Sequence, residues 1–176
     1  MGRRWVYLLM GAALVVVACA GPASSYVGTG VAAGDPPPPT RSFEARVVRV
    51  VDGDTLIARR ERGDLRVRLI GIDAPESVTP NVPVQCYGVR AGRVLTRMLP
   101  EGSLVRAAYQ DGGRRDRFGR ELWDVWLPGG AFVQARLVRR GAAEARAYPP
   151  QTDHANLLDR VERRARDAEA GLWGAC

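Results

Sequence analysis

Residues 43–76 read FEARVVRVVDGDTLIARRERGDLRVRLIGIDAPE, and the fold is decided there. Phe43–Val51 is rich in Val and charged residues and predicts a strand. Asp52-Gly53 is a turn dipeptide, and Asp54–Arg60 reads as the return strand. In Leu65–Ile72, Leu65, Val67 and Leu69 fall on one face while Arg66 and Arg68 fall on the other, the period of a half-buried strand. These make a three-stranded meander. Beyond it, Tyr87–Leu99 places Val94, Leu95 and Met98 at helical spacing and stops at Pro100. Leu104–Gln110 and Glu121–Leu127 read as two further strands joined by the polar loop Asp111–Arg120. A helix runs from Gly130-Ala131 through Arg140, and a last, highly charged one over Thr152–Ala170 carries Leu157, Leu158 and Val161. Five strands with a helix between the third and fourth is the order of an OB barrel. The expected class is therefore α+β: a five-stranded OB-fold β-barrel with three α-helices.

The rest of the 176-residue chain suits one such domain plus extras. Its 26 basic residues against 19 acidic give a formal charge of +7, and every basic residue is Arg, with no Lys anywhere. That excludes a Walker-A P-loop, a Schiff-base lysine and a Ser–Lys dyad. One His and three Cys exclude a zinc finger and any multi-His metal centre. No G-x-S-x-G or G-x-G-x-x-G occurs.

Residues 1–20 read as a signal peptide: Arg3 and Arg4, then an uncharged, mostly apolar run from Trp5 to Ala20. Val16-Val17-Ala18-Cys19 resembles a bacterial lipobox, in which Cys19 would become lipid-modified; cleavage after Ala18-Cys19-Ala20 and a retained anchor are the alternatives, and all three export the protein. Residues 21–42 form a Gly/Pro/Ser-rich linker ending in Pro36-Pro37-Pro38-Pro39, a stiff tether ahead of a domain over 43–176. The expected location is the cell envelope as a lipoprotein, or outside the cell, with the membrane touched only through the lipid. Cys86 and Cys176 then remain as an even pair in an oxidising compartment, readable as a disulfide or as two unrelated thiols.

The chemistry gathers where the third strand ends. Asp52 and Asp54 flank a tight turn, Asp73 and Glu76 bracket the bend that Pro75 enforces, and Arg115-Asp116-Arg117-Phe118-Gly119-Arg120 forms a basic loop. Taken singly, each has a plain reading as solvated charge. Together, Asp54, Asp73 and a bend carbonyl such as that of Ala74 offer a hard all-oxygen site suited to Ca²⁺. Glu76 is placed to deprotonate or hold a water, and Arg68 and Arg120 are permanent forks that match phosphate oxygens. Cation, carboxylate base and two arginines are the parts needed to attack a phosphodiester.

These motifs make the chain similar to the staphylococcal nuclease family over roughly Phe43 to Trp173. The likeness rests on Val51-Asp-Gly-Asp-Thr55, Arg68-Leu-Ile-Gly-Ile-Asp-Ala-Pro-Glu76, Cys86-Tyr-Gly88, Asp116-Arg-Phe-Gly-Arg120 and Gly171-Leu-Trp173. The resemblance implies an OB barrel with three helices that cuts DNA and RNA with Ca²⁺, breaking the 5′ P–O bond and leaving 3′-phosphates. By matching position it implies Asp54, Asp73 and the Ala74 carbonyl as calcium ligands and Asp52 as an acid beside the metal. Glu76 would be the base or water orienter, Arg68 and Arg120 the groups neutralising the transition state, and Arg117 and Tyr148 substrate contacts. Phe118 stands where family members commonly have Tyr, and the paired tyrosines of the nucleotide pocket are reduced to Tyr148.

Two other readings are carried forward. The protein is expected to be a monomer on any reading; an OB barrel could hold single-stranded nucleic acid as a non-catalytic binding module, though acids that repel phosphate would then have no use. A structural envelope domain would bind no nucleic acid and ignore calcium. The lone His154 is read as a surface or helix-start residue rather than a catalytic one.

Overall fold

The computed structural model describes residues 34–77 and 83–176. The signal peptide, Cys19 and most of the linker lie outside them. β1 (Phe43–Val50), β2 (Thr55–Arg60) and β3 (Gly63–Leu69) form the expected antiparallel meander, with Val50 opposite Leu56 and Leu56 opposite Val67. A bulge between Val47 and Arg49 bends β1, the device by which a short strand curls into a barrel. After α1 (Gly88–Met98), β5 (Leu104–Ala108) pairs with β1, and β6 (Glu121–Trp126) pairs with β5 and, in parallel, with β3. The result is a closed barrel in the order β1-β2-β3-β6-β5.

The strand alternation becomes burial. Leu56, Ala58, Val67 and Leu69 are fully enclosed, beside Trp123 and Val125 of β6. Phe43 and Tyr109 stack against the edge of the Trp123 ring, with the Phe43 and Trp123 centroids 5.2 Å apart. On α1 the inward face is Gly88, Ala91, Val94 and Leu95, spaced for one side of a helix. Met98, expected on that stripe, is only partly buried, and Leu99 takes the enclosed place. α2 (Val133–Arg139) packs on α3 (Ala155–Asp167), which buries Leu158, Val161 and Ala165, with Leu157 at the edge of the contact.

Three details depart from the expected element pattern. The strand expected over Leu65–Ile72 ends at Leu69, because Gly71 turns the chain with φ +79°. The chain resumes as β4 (Ile72–Asp73), paired with β7 (Glu144–Ala145) as a separate two-stranded sheet. A one-turn helix, α4 (Leu172–Ala175), follows α3. Its end brings Cys176 to Cys86, and the two form a disulfide with Cα atoms 6.0 Å apart.

The described end of the linker rests on the domain. The Trp126 Nε1–H donates to the Pro36 carbonyl at 2.8 Å, and Asp35 accepts from the Phe132 N–H at 3.3 Å and from Arg139 at 3.2 Å. His154 stands at the start of α3, as expected. It is partly buried: its ring packs edge-on against Phe132 and its Nε2 lies 3.3 Å from Asp124.

Candidate active site

The register of the barrel assembles the site. Thr55 is opposite Arg68, so the residue before β2 faces the end of β3, and the Leu69 N–H donates to the Asp54 carbonyl at 2.9 Å. The turn preceding β2 is pressed inward at Gly53, where a Cβ would lie 2.5 Å from the Ala74 Cβ and 3.0 Å from that of Ala91. Only a residue without a side chain lets this turn wedge between the bend after β4 and the face of α1.

Every residue singled out for catalysis, metal or substrate falls on one cleft of about 730 Å³: Asp52, Asp54, Arg68, Asp73, Ala74, Glu76, Arg117, Arg120 and Tyr148. Arg68 is 8% exposed, and its guanidinium bridges two acids, one N–H pairing with Asp54 and another donating to Asp73 at 2.9 Å. Asp54 also accepts the Ala74 N–H at 2.8 Å and the Thr55 hydroxyl at 3.0 Å. Burial pushes the Asp54 carboxyl above its ordinary value, against the opposing pull of Arg68 and these hydrogen bonds. Asp52 is also raised by burial; its carboxylate accepts from the Ser77 hydroxyl and the Gly53 N–H, both at 2.7 Å.

Across the cleft, Asp116 shapes the basic loop. Its carboxylate accepts the Phe118 and Arg120 N–H groups at 2.9 Å and the Arg120 Nε–H at 2.6 Å. The fork of Arg120 is thus aimed by one edge, and its terminal nitrogens remain for a ligand. Phe118 is 67% exposed, with the guanidinium of Arg117 4.8 Å and that of Arg120 5.5 Å from its ring centre. Tyr148, 45% exposed, lies at the rim beside the cis Pro149–Pro150 bond.

Arg66, Arg115 and Gln151 also line the cleft and were not singled out by sequence. Arg66 was discoverable, since it shares the polar face of β3 with Arg68. Gln151 follows a turn that no local pattern announces. Another residue without a sequence signal is Gln85. Its side chain accepts the Glu76 N–H at 2.7 Å, and its own N–H donates to the Glu76 carbonyl at 2.9 Å.

The donor set suits a cation. Asp54 and Asp73 converge on one positively charged group, Arg68, and all their donor atoms are hard oxygens. Among the described residues no cluster of three or more Asp, Glu, His or Cys could hold a metal. The side chains brought together there are two carboxylates, Asp54 and Asp73.

The family model described as "Staphylococcal nuclease homologue" matches residues 66–175. A thermonuclease of Staphylococcus intermedius is 39% identical over 127 residues, 72% of this chain and 74% of that protein. A thermonuclease of Staphylococcus hyicus is 36% identical over 73% of this chain and 74% of its own length. An uncharacterized endonuclease of Escherichia coli O157:H7 is 38% identical over 74% of this chain and 77% of its own.

Proposed function

The chain belongs to the staphylococcal nuclease family, and from that premise we propose that it is an exported, calcium-dependent nuclease. It hydrolyses phosphodiester bonds of DNA or RNA at the 5′ P–O bond and leaves 3′-phosphates. The observation carrying this reading is the meeting of Arg68, Asp54 and Asp73 in one cleft that Glu76 and Arg120 also line.

Asp54, Asp73 and the Ala74 carbonyl would hold calcium, with water filling its other positions; so few protein ligands imply weak affinity. When bound, calcium supplies positive charge beside the scissile phosphate. Glu76 accepts the proton of the attacking water, and Asp52 adds negative charge behind the ligand acids. Arg68 and Arg120 donate N–H groups to the phosphoryl oxygens as negative charge grows there. Asp116 holds Arg120 in the required direction. Arg117 contacts a neighbouring phosphate, and Tyr148 lies along the nucleotide. Phe118 lacks the hydroxyl that a tyrosine would offer a phosphate, which weakens substrate grip and leaves the chemical step alone.

Export rests on the signal-peptide pattern of residues 1–20, the lipobox at Cys19 and the Pro-rich linker. The Cys86–Cys176 disulfide belongs in the oxidising compartment that export reaches. The domain acts as a monomer.

The test is incubation of the purified protein with single-stranded DNA, in calcium and then in chelator. Calcium-dependent cutting that falls by about 10²-fold or more in Glu76→Gln supports the reading. Binding without cutting would make the protein an OB-fold binding module instead.

A further inference from the structure

A second cleft, of about 560 Å³, adjoins the active site. Arg60, Arg62, Arg114 and Arg115 line it, against two acids, Glu61 and Glu121. The turn between β2 and β3 forms one wall and the loop leading into β6 the other. Arg115 lines both clefts, so the two are neighbours that share this side chain.

The charge of this cleft is arranged for a ligand. Glu121 is buried and already engaged, accepting the Arg115 Nε–H and the Tyr109 hydroxyl, each at 2.6 Å. Among the described residues no carboxylate lies within ion-pair distance of Arg60, Arg62 or Arg114. Two of these guanidiniums are backed by aromatic rings: Arg60 stands 3.9 Å from the centre of Phe43 and Arg114 5.0 Å from that of Tyr109. Those rings are neighbours, with centroids 5.2 Å apart. Stacking on a ring limits the wandering of a long side chain, so less freedom is lost when it grips an anion. The outer faces of the same planes are suited to unstacked bases.

We propose that this cleft binds single-stranded nucleic acid running on from the active site, with Arg115 at the junction. Arg60, Arg62 and Arg114 contact backbone phosphates, and the ring-backed planes of Arg60 and Arg114 take bases. The proposal deepens the nuclease reading and rests on it, because only a substrate strand already lying in the first cleft leads past Arg115 into the second. It makes long substrates bind better than short ones.

The test measures binding of fluorescent oligothymidylates of about 3 and about 12 nucleotides, in chelator so that nothing is cut, against the Arg62→Ala/Arg114→Ala double variant. Both side chains are exposed, and thermal unfolding checks that the variant folds like the wild type. The wild type is expected to favour the longer strand by about tenfold or more, and the variant to lose most of that preference. The dependence of log affinity on log salt should become shallower by roughly 0.7 per phosphate contact removed, with short-strand affinity unchanged.

A wild type without length preference, or a variant that keeps it, overturns the proposal. Phosphatidylglycerol vesicles that bind in preference to the longer strand, through the same two arginines, overturn the nucleic-acid assignment. Cutting is scored separately in calcium. Length-dependent binding without cutting would sink the nuclease reading and support the cleft, whereas cutting with no length preference would do the reverse.

Discussion

Gln85 grips the backbone of Glu76 at two points, accepting its N–H at 2.7 Å and donating to its carbonyl at 2.9 Å. The proposed base therefore owes its position to a residue nine places along the chain, next to Cys86 and its disulfide. Replacing Gln85 by Ala removes the side-chain half of the clamp. One neutral hydrogen bond contributes about 1 kcal/mol, so kcat should fall roughly 3- to 10-fold. KM should hold, since Gln85 itself does not line the cleft. Steady-state kinetics with both parameters resolved decide it, and an unchanged kcat would remove Gln85 from any positioning role.

The disulfide should govern stability more than chemistry. It closes a loop spanning 90 residues and fastens α4 to the start of α1. Removing a native disulfide costs about 2–5 kcal/mol. Cys86→Ser, Cys176→Ser and the double variant should lower the melting temperature equally, because each removes the same bond. Reductant should bring the wild type to that value. Additive losses in the double variant would show that the two cysteines contribute separately.

The barrel was legible because its strands announce themselves: Leu65, Val67 and Leu69 alternate with arginines, and that alternation becomes burial. The site was legible for a different reason. Asp54 and Arg68 lie at the facing ends of β2 and β3, so a correct register brings them together, while Asp73 joins them only through the turn at Gly71. β4 and β7 were not legible, since two residues carry no period, and their pairing depends on how Gly71 redirects the chain. Nor could the docking of Asp35 and Pro36 be read from a Pro-rich stretch whose composition says only that it is stiff. Their partners, Trp126, Phe132 and Arg139, lie about 90 or more residues away. Arg115 looked like one charge in a solvated run until the fold placed Glu121 against it.

Gly53→Ala tests how tightly the metal-side turn is wedged. The new methyl would meet the Ala74 Cβ at 2.5 Å, so the turn or the bend must move. Overpacking of this kind costs about 1–3 kcal/mol. The displacement falls on Asp54 and on the Ala74 carbonyl, so calcium dependence should shift as well as stability. The concentration of calcium giving half-maximal activity should rise severalfold. Adding Ala74→Gly takes away the nearest contact and should recover part of both losses. A Gly53→Ala variant with unchanged melting and calcium response would mean that the turn has room to spare.

The Asp116–Arg120 pair sets a pH limit. Burial alone would raise the Asp116 carboxyl, but the bonds from Arg120 and from the N–H groups of Phe118 and Arg120 hold it below its ordinary value of 3.8. The folded protein thus binds that proton less readily than the unfolded chain does. The stability this contributes is fully present above the unfolded value and is lost as pH falls through the lower folded one. Glu121, lowered by Tyr109 and Arg115 against its own burial, acts in the same direction. Asp116→Asn should therefore be less stable than the wild type at neutral pH, by about 1–3 kcal/mol for hydrogen bonds to a charged group. That gap should narrow steadily once the pH drops below 3.8, where the wild-type carboxyl is itself taking up its proton. Denaturant unfolding of both proteins across that range provides the measurement. A gap that stays constant down to the lowest pH would show that the Asp116 charge contributes nothing to holding the loop that presents Arg120.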